Sequence, residues 1–116
     1  MEPPASLIRN LQPVKVKIKL PKKKLLQFLK RWRVSEFALF GSVLQQDFGP
    51  DSDIDVLVSF SPNGHWSLFD LVTMQSELEE IFGREVDLVE KDALRNPYRR
   101  RAILENMQVL YADPKS

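Results

Sequence analysis

The sequence predicts a small α/β (α+β) domain, a mixed β-sheet with helices packed on it. Three observations predict it. Short apolar runs rich in strand formers, Val34 to Phe40 and Ile54 to Phe60, and an alternating segment, Glu85 to Glu90, are interspersed with longer segments whose apolar residues recur at helical spacing. Glycine and proline turn signals stand at the ends of these runs. A chain of 116 residues with 43% hydrophobic residues can bury one core and is too short for a second, so strands and helices must share it.

Each element has its own reason. Residues 1–13 contain three prolines and no sustained periodicity, which reads as a poorly ordered leader. From Val14 to Leu20, valine, isoleucine and leucine alternate strictly with Lys15, Lys17 and Lys19, the pattern of a half-buried strand or of a tail that docks as one. Residues 1–20 are therefore read as a basic leader able to add an edge strand, and residues 21–116 as the domain proper. Pro21 precedes a helix over Lys22 to Arg31, with Leu25, Leu26, Phe28 and Leu29 as its apolar face. Val34 to Phe40 is a strand that runs into a tight turn at Gly41-Ser42. Gly49-Pro50-Asp51-Ser52 is a second turn, and the strand after it is apolar enough for burial on both faces. Leu68 to Phe82 is an amphipathic helix, with Leu68, Leu71, Val72, Leu78, Ile81 and Phe82 on its apolar side and Gly83 as its stop. A third strand over Glu85 to Glu90, a helix over 97–106 opening on Pro97, and a short strand at Val109-Leu110-Tyr111 complete the order.

Composition excludes several classes of function. No apolar run approaches the roughly 18 residues that cross a bilayer, and Met1-Glu2-Pro3-Pro4 is no secretory signal, so a cytoplasmic location is expected. Zero cysteines exclude disulfides, thiolate metal sites and cysteine nucleophiles. The net charge of +1 is unevenly spread: residues 1–33 hold ten Lys/Arg against one acid, and residues 34–116 hold seven against fifteen. Such a leader can meet RNA, an acidic partner or the acidic body of its own domain, but a solvated arm is the favoured reading over RNA contact.

The pattern that carries chemistry is the pair Asp53 and Asp55 at the head of an apolar strand. Side chains at i and i+2 of a strand share a face, so the two carboxylates converge. Converging carboxylates repel unless a cation lies between them, and an oxygen-only donor set suits Mg²⁺ held together with substrate phosphates. Asp87, on a later strand, is the natural third acid if that strand is adjacent. Gly41-Ser42 directly follows a strand, where glycine allows the close backbone approach that a phosphate chain requires.

Gly41-Ser42, ten intervening residues and Asp53-Ile54-Asp55 together match the G-S-x10-D-x-D signature of the nucleotidyltransferase superfamily that includes DNA polymerase beta. The sequence more closely resembles the minimal nucleotidyltransferase (MNT) domains that act as antitoxins beside HEPN-domain toxins. Phe40-Gly41-Ser42, Pro50 to Val58, Val86-Asp87-Leu88-Val89 and the closing Ile103-Leu104-Glu105 to Leu110-Tyr111 carry that resemblance over roughly residues 23–112. It implies that Gly41 and Ser42 grip the β- and γ-phosphates of ATP, and that Asp53 and Asp55 bind magnesium. Asp87 would be the third carboxylate, which binds metal and helps to deprotonate an attacking hydroxyl; two Mg²⁺ ions would serve the reaction. The expected activity is transfer of AMP to a tyrosine hydroxyl of a cognate HEPN ribonuclease, encoded by a neighbouring gene, which neutralises that toxin. Nucleotidyl transfer to a small molecule or to RNA, and a non-catalytic antitoxin that acts by binding, are the alternatives. Many MNT domains carry a basic residue just after Gly-Ser, whereas Val43 and Leu44 follow here; the expectation is either weaker phosphate affinity or a charge supplied by Arg84 or by a residue of the basic leader.

Other suggestive residues have plainer readings. His65 beside a Pro-Asn-Gly turn is expected to be structural or exposed, Trp32 to pack, and the Arg99-Arg100-Arg101 run to be a solvated helix face.

Overall fold

A computed structural model describes residues 20–44, 49, 52–62 and 64–113. The strand expected over Val14 to Leu20, and with it the proposed leader, falls almost wholly outside the described residues. The described elements are helix α1 (Lys22–Arg31), strand β1 (Val34–Phe40), a 3-10 turn (Gly41–Leu44), strand β2 (Ile54–Phe60), helix α2 (Leu68–Phe82), strand β3 (Val86–Glu90), a second 3-10 turn (Lys91–Ala93), helix α3 (Pro97–Asn106) and strand β4 (Gln108–Ala112). The strands form one mixed sheet in the order β3-β2-β1-β4, with β1 antiparallel to β2 and β4 and β2 parallel to β3.

Strand alternation divides the side chains of the core between the two faces of the sheet. Phe37 and Leu39 of β1, Ile54, Val56 and Val58 of β2 and Val86 of β3 face α1 and α2, which bring Leu25, Phe28, Met74 and Leu78. Phe37, Met74 and Leu78 are completely buried there, each contributing about 1.5–3 kcal/mol by removal from water. The intervening residues, Ala38, Phe40 and Leu57, face the other way and pack with Leu94 and Ile103, so α3 covers part of the opposite face. β2 is thus buried on both sides, as expected for the strand central to the sheet.

Helix boundaries follow from local chemistry. Ser67 caps α2, its hydroxyl accepting from the Asp70 amide at 3.2 Å while the Asp70 carboxylate accepts from the Ser67 amide at 2.8 Å. Gly83 ends α2 with φ of +68° and donates its amide to the Glu79 carbonyl at 2.8 Å. Asn96 caps α3, accepting from the amides of Tyr98 and Arg99, with Pro97 in the first turn. The apolar stripe of α2 differs from the expected one. Met74 and Leu78 are buried with Leu71, Ile81 and Phe82 packed beside them, while Leu68 and Val72 are 77% and 62% exposed. Leu71 is thus the residue of the first turn that meets the core, while Leu68 and Val72 stay in solvent. Trp32 and Trp66 are structural, as expected of Trp32: their rings meet edge to face at 5.1 Å, and the Trp66 indole N–H donates to the Trp32 carbonyl at 3.0 Å. His65 is exposed.

Candidate active site

Register brings the first two parts of the site together. Asp55 is the Cα partner of Phe40 on β1 and of Asp87 on β3, so Phe40, Asp55 and Asp87 form one row across three strands. Leu57 and Val89, two residues beyond each acid, pack on the α3 side of the sheet, and the period of two places Asp55 and Asp87 on that same side. Asp55 is half-buried and Asp87 exposed. Parallel neighbouring strands lie about 4.8 Å apart, which brings the two carboxylates within reach of one cation.

Gly41 sits at the end of this row. Its φ is +75°, a left-handed conformation that glycine adopts without a Cβ penalty. A Cβ at Gly41 would collide with Oδ2 of Asp55 and lie 3.2 Å from its Cγ. The backbone of the turn and the carboxylate of Asp55 therefore touch only because residue 41 lacks a side chain. Ser42 follows in the same 3-10 turn, and Val43 is buried in the core beneath it.

Asp53 stands just before β2 rather than within it, because the strand begins at Ile54; it is exposed. Its approach is held by a compact turn. The Ser52 amide donates to the Gly49 carbonyl and the Gly49 amide to the Ser52 hydroxyl, each at 3.1 Å. Arg84 Nη1 donates to the carbonyls of Gly49 at 2.8 Å and Ser52 at 3.2 Å, and the Ile54 amide donates to the Glu85 carbonyl at 3.0 Å. Arg84, one of the expected sources of phosphate charge, has a structural use here: this nitrogen faces main-chain oxygens and clamps the turn that leads to Asp53.

Among the described residues, no three acidic or histidine side chains already converge on a point that could hold a metal ion. The donor set nevertheless fits Mg²⁺, which binds through one or two carboxylates together with substrate phosphates rather than in an all-protein cage. Asp55 and Asp87 are such a pair, and the Gly41 backbone cradle against Asp55 leaves room for a phosphate group beside it. An open cleft of about 490 Å³ adjoins this cradle. Phe40, Gly41 and Leu44 form one wall, and Arg99, Ala102, Ile103 and Asn106 of α3 form the other.

The turn thus presses a side-chain-free backbone onto one acid, with a second acid in register beside it. Residues 22–110 match the model of the nucleotidyltransferase domain family. The chain belongs to the nucleotidyltransferases. Among relatives, a Methanocaldococcus jannaschii protein provisionally named a protein adenylyltransferase is 35% identical over 89 residues, covering 77% of this chain and 94% of that protein. Protein adenylyltransferase MntA of Thermococcus cleftensis is 33% identical over 79 residues, covering 68% of this chain and 78% of its own. The same fold occurs in a crystallised toxin-antitoxin complex with AMP-PNP, at a TM-score of 0.66, 19% identity, and coverage of 83% of this chain and 77% of that one. Among the described residues of this nucleotidyltransferase, no helix is long and apolar enough to cross a membrane.

Two parts of the site were not legible in advance. The Arg84 clamp joins residues 35 positions apart and left no local signal. The cleft face of α3 is visible in retrospect as the stripe 99, 102, 103 and 106, but nothing in the chain told which side of the sheet the helix covers.

Proposed function

We propose that this nucleotidyltransferase moves AMP from ATP to a hydroxyl of a partner protein, the partner being a HEPN-type ribonuclease toxin and the acceptor a tyrosine. The observation that carries the reading is the contact between the Gly41 backbone and the Asp55 carboxylate, with Asp87 in register beside it. A phosphate chain and a divalent cation are required at the same place by this reaction. The protein acceptor is supported by the relatives' names, and the toxin by the fold shared with a chain of a crystallised toxin-antitoxin complex.

In this reading Gly41 and Ser42 hold the β- and γ-phosphates through the backbone of the turn. Asp53 and Asp55 hold the cation against the phosphate chain, Asp87 shares it, and the Arg84 clamp keeps Asp53 at the mouth of β2. Mg²⁺, when bound, neutralises charge on the phosphates and on the leaving group. The acceptor oxygen attacks the α-phosphorus, the bond from that phosphorus to the bridging oxygen breaks, and pyrophosphate departs. Asp87, which is exposed, helps to take the hydroxyl proton. Positioning and charge neutralisation account for catalysis, since the residues form no covalent intermediate.

The test is incubation with Mg²⁺ and ATP labelled on the α-phosphate, with and without a HEPN toxin encoded beside the gene, alongside the Asp53→Ala/Asp55→Ala variant. Label on a toxin tyrosine that vanishes in the variant supports the proposal. Toxin binding and protection that persist in the variant, with no label in either, would replace it with neutralisation by occlusion.

A further inference from the structure

The cleft beside Gly41 has one charged side chain among its described walls, that of Arg99. The other wall residues are apolar or neutral, and the turn that should meet phosphate offers no cation of its own. Val43 is buried at 2% exposure and Leu44 faces the cleft. The structure separates the three consecutive arginines that the sequence presents as one solvated run. Arg100 Nη1 donates to the Lys91 carbonyl at 2.8 Å, and Arg101 Nε pairs with Glu105 Oε1 at 3.0 Å, on the outer side of the helix. Arg99 uses its backbone amide for the Asn96 cap, and its guanidinium has neither a hydrogen bond nor an ion pair with any described residue.

Helix geometry, rather than side-chain chance, aims Arg99 at the cleft. Residues 99, 102, 103 and 106 are spaced i, i+3, i+4 and i+7, one stripe of an α-helix. Ile103, at 8% exposure, anchors that stripe against Ala38, Phe40 and Leu57, and the Asn96 cap with Pro97 fixes where the helix begins. The rigid scaffold thus sets an unengaged guanidinium on the wall opposite Gly41, on the same side of the sheet as Asp55 and Asp87.

We infer that Arg99 is a binding residue for the phosphate chain of the nucleoside triphosphate, and that it provides the positive charge absent from the Gly41–Leu44 turn. The inference rests on the nucleotide-binding part of the proposal above. A guanidinium presents paired donors that match phosphate oxygens, and such charge-assisted bonds are about twice as strong as neutral ones. Arg99 is exposed before the ligand arrives, so its contribution is moderate and falls with added salt.

The experiment is titration calorimetry of the full chain with Mg²⁺, using AMP-PNP, inorganic tripolyphosphate and adenosine as separate probes. Arg99→Ala is expected to weaken AMP-PNP and tripolyphosphate by the same factor, about tenfold, and to leave adenosine unchanged. Arg99→Lys should recover part of the loss, because the charge remains while the paired donors do not, and Arg101→Ala should bind all three as the wild type does. AMP-PNP bound as tightly by Arg99→Ala as by the wild type overturns the role of Arg99 alone, and so does a loss shared equally by adenosine. A wild-type chain that binds none of the probes overturns the nucleotide reading itself.

Discussion

Two glycines in this chain share a backbone conformation and differ in surroundings, and alanine at each separates folding from function. Gly41 has φ of +75° and Gly83 of +68°. Holding alanine in this region costs about 1–2 kcal/mol, so both substitutions should lower stability by at least that amount. At Gly83 nothing lies within 4 Å of an added Cβ, and the backbone term is the whole effect. At Gly41 the added Cβ meets Asp55, whose Oδ2 must move because real Cβ atoms do not approach so closely; the Cγ at 3.2 Å and Cβ at 3.5 Å limit how it can turn away. Relief requires a displacement on the order of 1 Å, and a misplacement of that size in a reacting assembly costs about 100-fold in rate. Chemical denaturation should therefore show a midpoint loss in Gly41→Ala at least as large as in Gly83→Ala, while transfer of labelled AMP falls about 100-fold only in Gly41→Ala. Activity in Gly41→Ala equal to that in Gly83→Ala would refute the contact between the turn and the acid as a requirement of the site.

Arg84→Ala removes the donor that spans the carbonyls of Gly49 and Ser52; denaturation should show a loss of about 1–2 kcal/mol, accompanied by a fall in kcat as Asp53 loses its fixed approach, and unchanged stability would count against the clamp. Burial, aided by the negative charge of Asp113, raises the phenol of Tyr111 above its ordinary 10.0. A group whose folded value is raised gives stability that is complete below the unfolded value and is lost as pH climbs through the folded one. Stability should therefore decline in the alkaline range above 10.0. With Tyr98→Phe leaving Tyr111 as the sole tyrosine, phenolate absorbance should rise late, and earlier once Asp113→Asn is added.

The sequence by itself determined the elements and the chemical inventory, because both are local. Short apolar runs of strand formers marked Val34–Phe40 and Ile54–Phe60, and Gly83 and Pro97 marked where α2 stops and α3 starts. The spacing from Gly41-Ser42 to Asp53-Ile54-Asp55 pointed to phosphate and metal. Tertiary structure decided what depends on which strands are neighbours. Asp87 faces Asp55 only because β2 and β3 pair in parallel at this register; a one-residue slip would turn the acid to the other face of the sheet. The exposure of Leu68 and Val72, the capture of Arg84 by main-chain carbonyls and the turn of Arg99 toward the cleft likewise follow from where whole helices dock. Periodicity within a helix tells which residues share a face, but only the packing of that helix on the sheet tells what the face meets.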